Sequence, residues 1–315
     1  MANERTIEEW LGIFKGLYEG VDSKRSPAAI WIAATAHSAK MGEAIRKMHF
    51  ADLMNSATHA FCWMASFIIA CQRKQVTVFT LNESFSGIVA AKYPLRCGHC
   101  LEVPCHCDPV NMDQAKDKAS LYPKLLDYRN RYAADNITYS VGYWQRAFKD
   151  IYERQMHMLT LESIGFHFLE EAGEELTAIR GLMQLEKVLY QDIKGIDAGY
   201  LQTLSTFEGL VEAYEKLDSN LQKNTIDFSR PDAEIINARL VRAKIDMFIE
   251  FADTFSWFCS ILNKVSAIAG NCGNGGCTFG PDAFECNLAK AYLPAGEPSC
   301  PTCHQAECMC VFFPA

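Results

Sequence analysis

Residues 244–262 read KIDMFIEFADTFSWFCSIL, and their periodicity decides the fold class. At about 100° per residue, Phe248, Phe251, Phe255, Phe258 and Leu262 form one continuous apolar stripe, as in a helix packed on a core. The other side carries Asp246, Glu250, Asp253, Trp257 and Ile261. An ordinary surface helix would put a mixed, lysine-rich face there. Acids followed by tryptophan and isoleucine instead describe a helix buried on two sides, with its acidic face turned into a cleft. Residues 166–180, FHFLEEAGEELTAIR, repeat the pattern. Phe168, Ala172, Leu176 and Ile179 make the stripe, and Glu171 and Glu174, three apart, project to one side.

Working outward, β-signals are few. Val76-Thr77-Val78-Phe79 has the composition of a short strand, and the cysteine-rich loops have room for small hairpins. Residues 204–217 keep helical period through Leu204, Phe207, Leu210, Val211, Tyr214 and Leu217. The expected class is all-α.

The chain has 315 residues, 49% hydrophobic and 22% charged, which suits one or two globular domains with a substantial core. Its 19 glycines and 11 prolines exclude collagen-like or broadly disordered material. A formal charge of −8 argues against a nucleic-acid coat or a membrane-surface binder. The start, MANERTIEEW, has no apolar leader core, and the longest apolar run, Ala60 to Cys71, is too short to span a bilayer. A cytosolic, membrane-free protein is expected. In a reducing compartment its 14 cysteines point to metal rather than disulfides.

Eight of them form two copies of Cys-x2-Cys-x4-Cys-x-Cys: Cys97, Cys100, Cys105 and Cys107, then Cys300, Cys303, Cys308 and Cys310. Four thiolates at this spacing suit a closed tetrahedral Zn2+ site, about two zinc ions per chain. An iron–sulfur cluster or redox thiols are the alternatives. Cys272, Cys277 and Cys286 form a looser set, while Cys62, Cys71 and Cys259 sit in apolar helical patterns as core residues.

The repeat extends beyond the cysteines. Trp10, Phe14, Lys15, Tyr18 and Glu19 recur as Trp144, Phe148, Lys149, Tyr152 and Glu153, each 134 residues on. Ile7, Trp10, Leu11, Phe14, Leu17 and Tyr18 make a helical stripe, and Thr6 with Glu9 makes a capping box. Gly42-Glu43 matches Gly173-Glu174, and His59 to Trp63 matches Asp253 to Trp257. The expected organisation is a helical repeat over residues 1–110 and a connector over 111–139. A second repeat follows over 140–315, with a helical insert at about 181–240. Each repeat ends in a cysteine module.

Two Glu-type pairs on facing helices are costly to bring together unless cations neutralise them, and all-oxygen donors select Mg2+ or Mn2+. Glu171-x-x-Glu174 followed by Glu250-x-x-Asp253 resembles the metal-binding motif of the MazG-like, all-α nucleoside triphosphate pyrophosphohydrolases. HFLEEAGEELTAIR is similar to that family's first metal helix and EFADTFSWF to its second. The resemblance departs from the family in its long gap between the two pairs. At the corresponding positions the first repeat carries Lys40, Glu43, Ser56 and His59, which makes it a degenerate copy.

The resemblance implies hydrolysis of a nucleoside triphosphate to the monophosphate and pyrophosphate, with Mg2+ (or Mn2+) held by Glu171, Glu174, Glu250 and Asp253. Glu170 or Glu175 would accept a proton from water. Lys244, Arg239 or Arg242 would meet phosphates, and Trp257 would stack on a base. Family members are commonly dimers or tetramers, so the tandem would be a pseudo-dimer and a homo-oligomer stays open. The alternative is a non-catalytic, zinc-stapled scaffold or regulatory protein that binds a nucleotide or a partner protein.

Overall fold

Thr6 opens the first helix as the sequence pattern requires: its hydroxyl accepts from the Glu9 amide at 3.1 Å, and its own amide donates to the Glu9 carboxylate at 2.7 Å. The computed structural model describes residues 4–73, 77–107, 118–132, 139–192, 198–221, 233–270 and 283–310. Among these residues there are helices and no strands. In chain order they are α1 (Ile7–Asp22), α2 (Pro27–Lys47), α3 (Phe50–Cys71) and α4 (Phe85–Lys92). Next come α5 (Lys118–Tyr132), α6 (Val141–Ile151), α7 (Glu153–Met158) and α8 (Leu161–Asp192). Last are α9 (Ala198–Thr203), α10 (Phe207–Leu221), α11 (Ala233–Gly270) and α12 (Ala283–Tyr292).

Two antiparallel pairs, α2 with α3 and α8 with α11, form the centre, and α2 packs on α8 to join them. Along α8 and α11, His167 faces Trp257 with ring centroids 4.7 Å apart, and Gly181 faces Ala243. Both helices advance by the same number of residues between those contacts, so their register does not slip. Phe248, Phe251, Phe255, Phe258 and Leu262 are all buried, as their stripe demands.

The residues that repeat in sequence repeat in contact. Trp10 stacks on Phe14 at 5.7 Å and 24°; Trp144 stacks on Phe148 at 5.6 Å and 26°. Thr6 and Ser140 both serve as helix N-caps and face each other in an isolated antiparallel bridge. The cysteine modules cross over. Cys105 donates its amide to Ile151 at the end of α6, and Cys308 donates to Leu17 of α1, each at 2.7 Å. Short helices cross in the same way: α4 packs on α11, and α12 packs on α3.

Several expectations need correction. Thr77 to Thr80 form a turn closed by the Thr80 amide on the Thr77 carbonyl, not a strand; Val76 lies outside the described residues. The cysteine loops contain turns and no hairpin strands. Within the expected connector lies α5, which packs on α4 and α10. Between the ends of α8 and α11, the insert region carries α9 and α10, with Leu204, Phe207, Leu210 and Val211 buried. One described helix, Phe50–Cys71, is long and apolar enough to cross a membrane, and 89% of its most apolar window is buried inside the protein.

Candidate metal centres

Each cysteine module is a short loop held open by its own backbone. Cys97 accepts at its carbonyl from the Leu101 amide (3.0 Å), and Cys300 accepts from His304 (2.9 Å). Leu101 and His304 both adopt left-handed backbone, at φ 62° and 57°, which turns the chain back toward the first cysteine pair. The four sulfurs of each module come together. Cys97 to Cys107 and Cys100 to Cys105 are 3.9 Å apart, and Cys300 to Cys308 is 3.6 Å. A tetrahedral ion with metal–sulfur bonds of about 2.3 Å puts its ligands roughly 3.8 Å apart, whereas a disulfide needs about 2.05 Å. Backbone amides also aim at the sulfurs: His99 at Cys97, Cys107 at Cys105 and Cys310 at Cys308, at 3.3–3.4 Å. Both groups could therefore hold zinc. Of the looser set, Cys286 is exposed, and Cys272 and Cys277 lie outside the described residues.

The carboxylates meet between α8 and α11. One oxygen each from Glu171, Glu174 and Glu250 lies within 4.8 Å of the others. Burial, then the charges of Asp253, Glu250 and Glu174, pushes the Glu171 carboxyl up to about 10. Burial and Asp253 lift Glu250 to about 8, although Lys92 pulls the other way. The group opens on a cleft of about 780 Å³ that contains Glu174 and Glu250 and, further along α11, Arg242 and Arg239.

Asp253 stands apart from the other three. Its Oδ1 accepts from the Tyr93 hydroxyl at 2.5 Å, and its Oδ2 lies 3.5 Å from the Lys92 ammonium. Glu175 is fully buried, and neither of its oxygens has a hydrogen-bond partner among the described residues. Burial, with Glu250 and Asp246 as charged neighbours, holds its pKa well above the carboxylate range. Glu171, Glu174 and Glu250, without Glu175, form the group whose oxygens lie close enough to hold one cation. Glu170, by contrast, is exposed and 3.3 Å from His167 Nδ1.

No family model matches this chain. No curated protein and no solved structure matches it either.

Of the four acids expected together, Glu171, Glu174 and Glu250 meet, and one of the expected cations lies elsewhere. Lys244 does not face the cleft: it is fully buried, and its ammonium donates to the carbonyls of Val78 (3.2 Å) and Thr80 (2.9 Å). Burial pulls its pKa down to about 8. Arg242 remains in the cleft, mostly exposed, with Nε 3.9 Å from Asp246. Trp257 is half-buried with one face against His167. Sequence reasoning missed Lys92 and Tyr93. Their signal was faint, because Tyr93 precedes its first cysteine by four residues and Tyr292 precedes Cys300 by eight.

Proposed function

We propose that this protein is a divalent-cation-dependent hydrolase that cleaves a nucleoside triphosphate, or a related nucleotide, to the monophosphate and pyrophosphate. One observation carries the reading: Glu171, Glu174 and Glu250 converge at a cleft that also presents Arg242 and Arg239. Carboxylates that lift one another's pKa in a partly buried site are relieved by a cation, and oxygen donors alone favour Mg2+ or Mn2+. A bound ion of that kind would screen phosphate charge and acidify a water. The chain's own residues take the other roles. Arg242 and Arg239 receive phosphate charge at the far end of the cleft. Glu170, exposed to solvent and steadied by His167, accepts the proton, since Glu175 is buried. Trp257 offers its outer face to a base.

Three further proposals accompany this reading. The chain is a tandem duplication of a MazG-like bundle, a reading supported by the matched ring stacks and the crossed cysteine modules. Its first half, with Lys40, Glu43, Ser56 and His59 at the acid positions, is non-catalytic. Each four-cysteine group carries one structural Zn2+, in keeping with its sulfur spacings. The engagement of Asp253 by Tyr93 and Lys92 favours, as a second reading, a cation-stabilised regulatory bundle that binds nucleotide without turnover.

The deciding assay incubates the purified protein with a nucleotide panel and Mg2+, and measures pyrophosphate release by wild type and Glu174→Gln. Turnover that the substitution abolishes is the expected result. No turnover on any nucleotide, or turnover that the substitution leaves intact, rules out the enzyme reading.

A further inference from the structure

Lys92 and Tyr93 end α4 in the first half of the chain, yet both meet an acid of the second half. Tyr93 donates to Asp253 Oδ1, and Lys92 Nζ approaches Oδ2 at 3.5 Å. Both residues are buried. Their backbone is pinned by the first cysteine module, where a Cβ on Gly98 would stand 2.6 Å from the Lys92 carbonyl oxygen; only glycine permits that approach. The Tyr93 ring is set edge-on to Phe148 at 5.2 Å and 88°, and the Ser256 hydroxyl donates to the tyrosine oxygen at 3.4 Å. The dyad thus has little freedom.

The other half supplies an internal control. There α12 ends in Ala291 and Tyr292, and the Tyr292 ring is edge-on to Phe14 at 4.9 Å and 76°. Phe14 is the residue that recurs as Phe148. The Tyr292 hydroxyl lies 3.1 Å from His59 Nδ1, and His59 occupies the position matched to Asp253. The tyrosine is therefore present at both places. Where the acid becomes histidine, the lysine becomes alanine. A lysine kept only for packing would have no reason to follow the acid.

Resting on the cation reading above, we infer that Lys92 and Tyr93 are positioning residues for the cation site. They hold the Asp253 carboxylate in one orientation at the rim of the Glu171, Glu174 and Glu250 group, as outer hydrogen-bond partners hold ligands in metal sites generally. The first half of the chain, which keeps one acid of the four at the matched positions, thereby completes the site of the second.

The test is a Mn2+ titration of the full chain with its cysteine modules intact, with free Mn2+ read by electron paramagnetic resonance. The proteins compared are wild type, Glu171→Gln, Tyr93→Phe and Tyr292→Phe. Wild type should show a site that Glu171→Gln removes. Tyr93→Phe keeps the ring that fills the core, and its affinity should weaken about tenfold. Tyr292→Phe also deletes one buried hydroxyl but should leave the affinity unchanged, while both variants melt lower than wild type. Equal affinities for Tyr93→Phe and Tyr292→Phe would overturn this inference and leave the cation reading standing. A wild type with no Glu171-dependent Mn2+ site would overturn both.

Discussion

The amide of Cys308 donates to the carbonyl of Leu17 at 2.7 Å, so the last cysteine module of the chain is fastened to its first helix. The reciprocal contact, Cys105 on Ile151, fastens the first module to α6. Gln155 adds two bonds from its side-chain amide to the carbonyls of Cys105 and Cys107. Neither module serves only its own half. Stripping one metal should therefore loosen both halves together. Elemental analysis should find about two zinc ions per chain and about one after Cys303→Ser. The variant should still melt in a single transition, at lower temperature, by circular dichroism. A metal-free protein with an unchanged melting curve refutes the stapling role.

The two halves should respond unequally to removal of one acid. Glu174 belongs to the carboxylate group, and Glu174→Gln should lower pyrophosphate release by roughly a hundredfold or more, since metal-borne charge stabilisation is worth several kcal/mol. Glu43, its counterpart in the first half, is exposed and paired with Lys47 four residues on. Solvent screens so exposed a pair, so Glu43→Gln should leave both turnover and stability close to wild type. Equal losses from the two substitutions would mean that the first half is catalytic after all.

The raised carboxyls set a pH dependence whose sign follows from linkage. Glu171 and Glu250 titrate near 4.5 in a free chain, but in the fold burial and mutual repulsion raise them to about 10 and about 8. Above pH 4.5 the unfolded chain gives up these protons while the fold retains them, so the unfolded state gains. The contribution of these two carboxyls to the stability of cation-free protein should thus be largest below that point and fall progressively up to pH 8–10. Added Mg2+ should raise the melting temperature more at pH 8 than at pH 6. Glu171→Gln should flatten both effects. Melting curves across pH, with and without Mg2+, check this; a cation-free protein that gains stability from pH 5 to pH 8 contradicts it.

Glu175 offers a separate test of stability. Its carboxyl is buried without a hydrogen-bond partner among the described residues, an arrangement that costs about 1–3 kcal/mol by mutational data. Glu175→Met fills the same space without the polar penalty and should stabilise the cation-free protein by about that amount in urea unfolding. Destabilisation would show that the carboxyl has a partner in solution. A simultaneous loss of Mn2+ affinity would place Glu175 among the groups that the cation needs.

Helices and acids were legible in the sequence for a local reason. The stripe from Phe248 to Leu262 and the pairs Glu171/Glu174 and Glu250/Asp253 lie on single helices, where 3.6-residue spacing determines which residues share a face. What stayed hidden depends on contacts distant in sequence. Val78 is β-branched in an apolar run that reads as a strand, yet its carbonyl turns inward to hold the ammonium of Lys244, 166 residues away. Tyr93 and Asp253 are 160 residues apart, and no local pattern announces their bond. The crossing of the cysteine modules was invisible for the same reason, since a repeat within one chain does not say which copy packs on which.

Lys244 and Arg242, two residues apart on α11, should behave in contrasting ways. Lys244 is sealed inside, and its ammonium satisfies the carbonyls of Val78 and Thr80. Lys244→Met removes those donors and leaves two buried acceptors unpaired, a loss of about 1–3 kcal/mol. Because the ammonium never reaches the cleft, the KM for a nucleotide should not move. Arg242 lines the cleft, and its side chain is 73% exposed. Arg242→Ala should change stability by no more than about 0.5 kcal/mol while raising KM, with kcat altered less. Urea unfolding and steady-state kinetics on the two variants separate these roles. A raised KM in Lys244→Met at unchanged stability would return the lysine to the substrate site, and an unaltered KM in Arg242→Ala would remove the arginine from it.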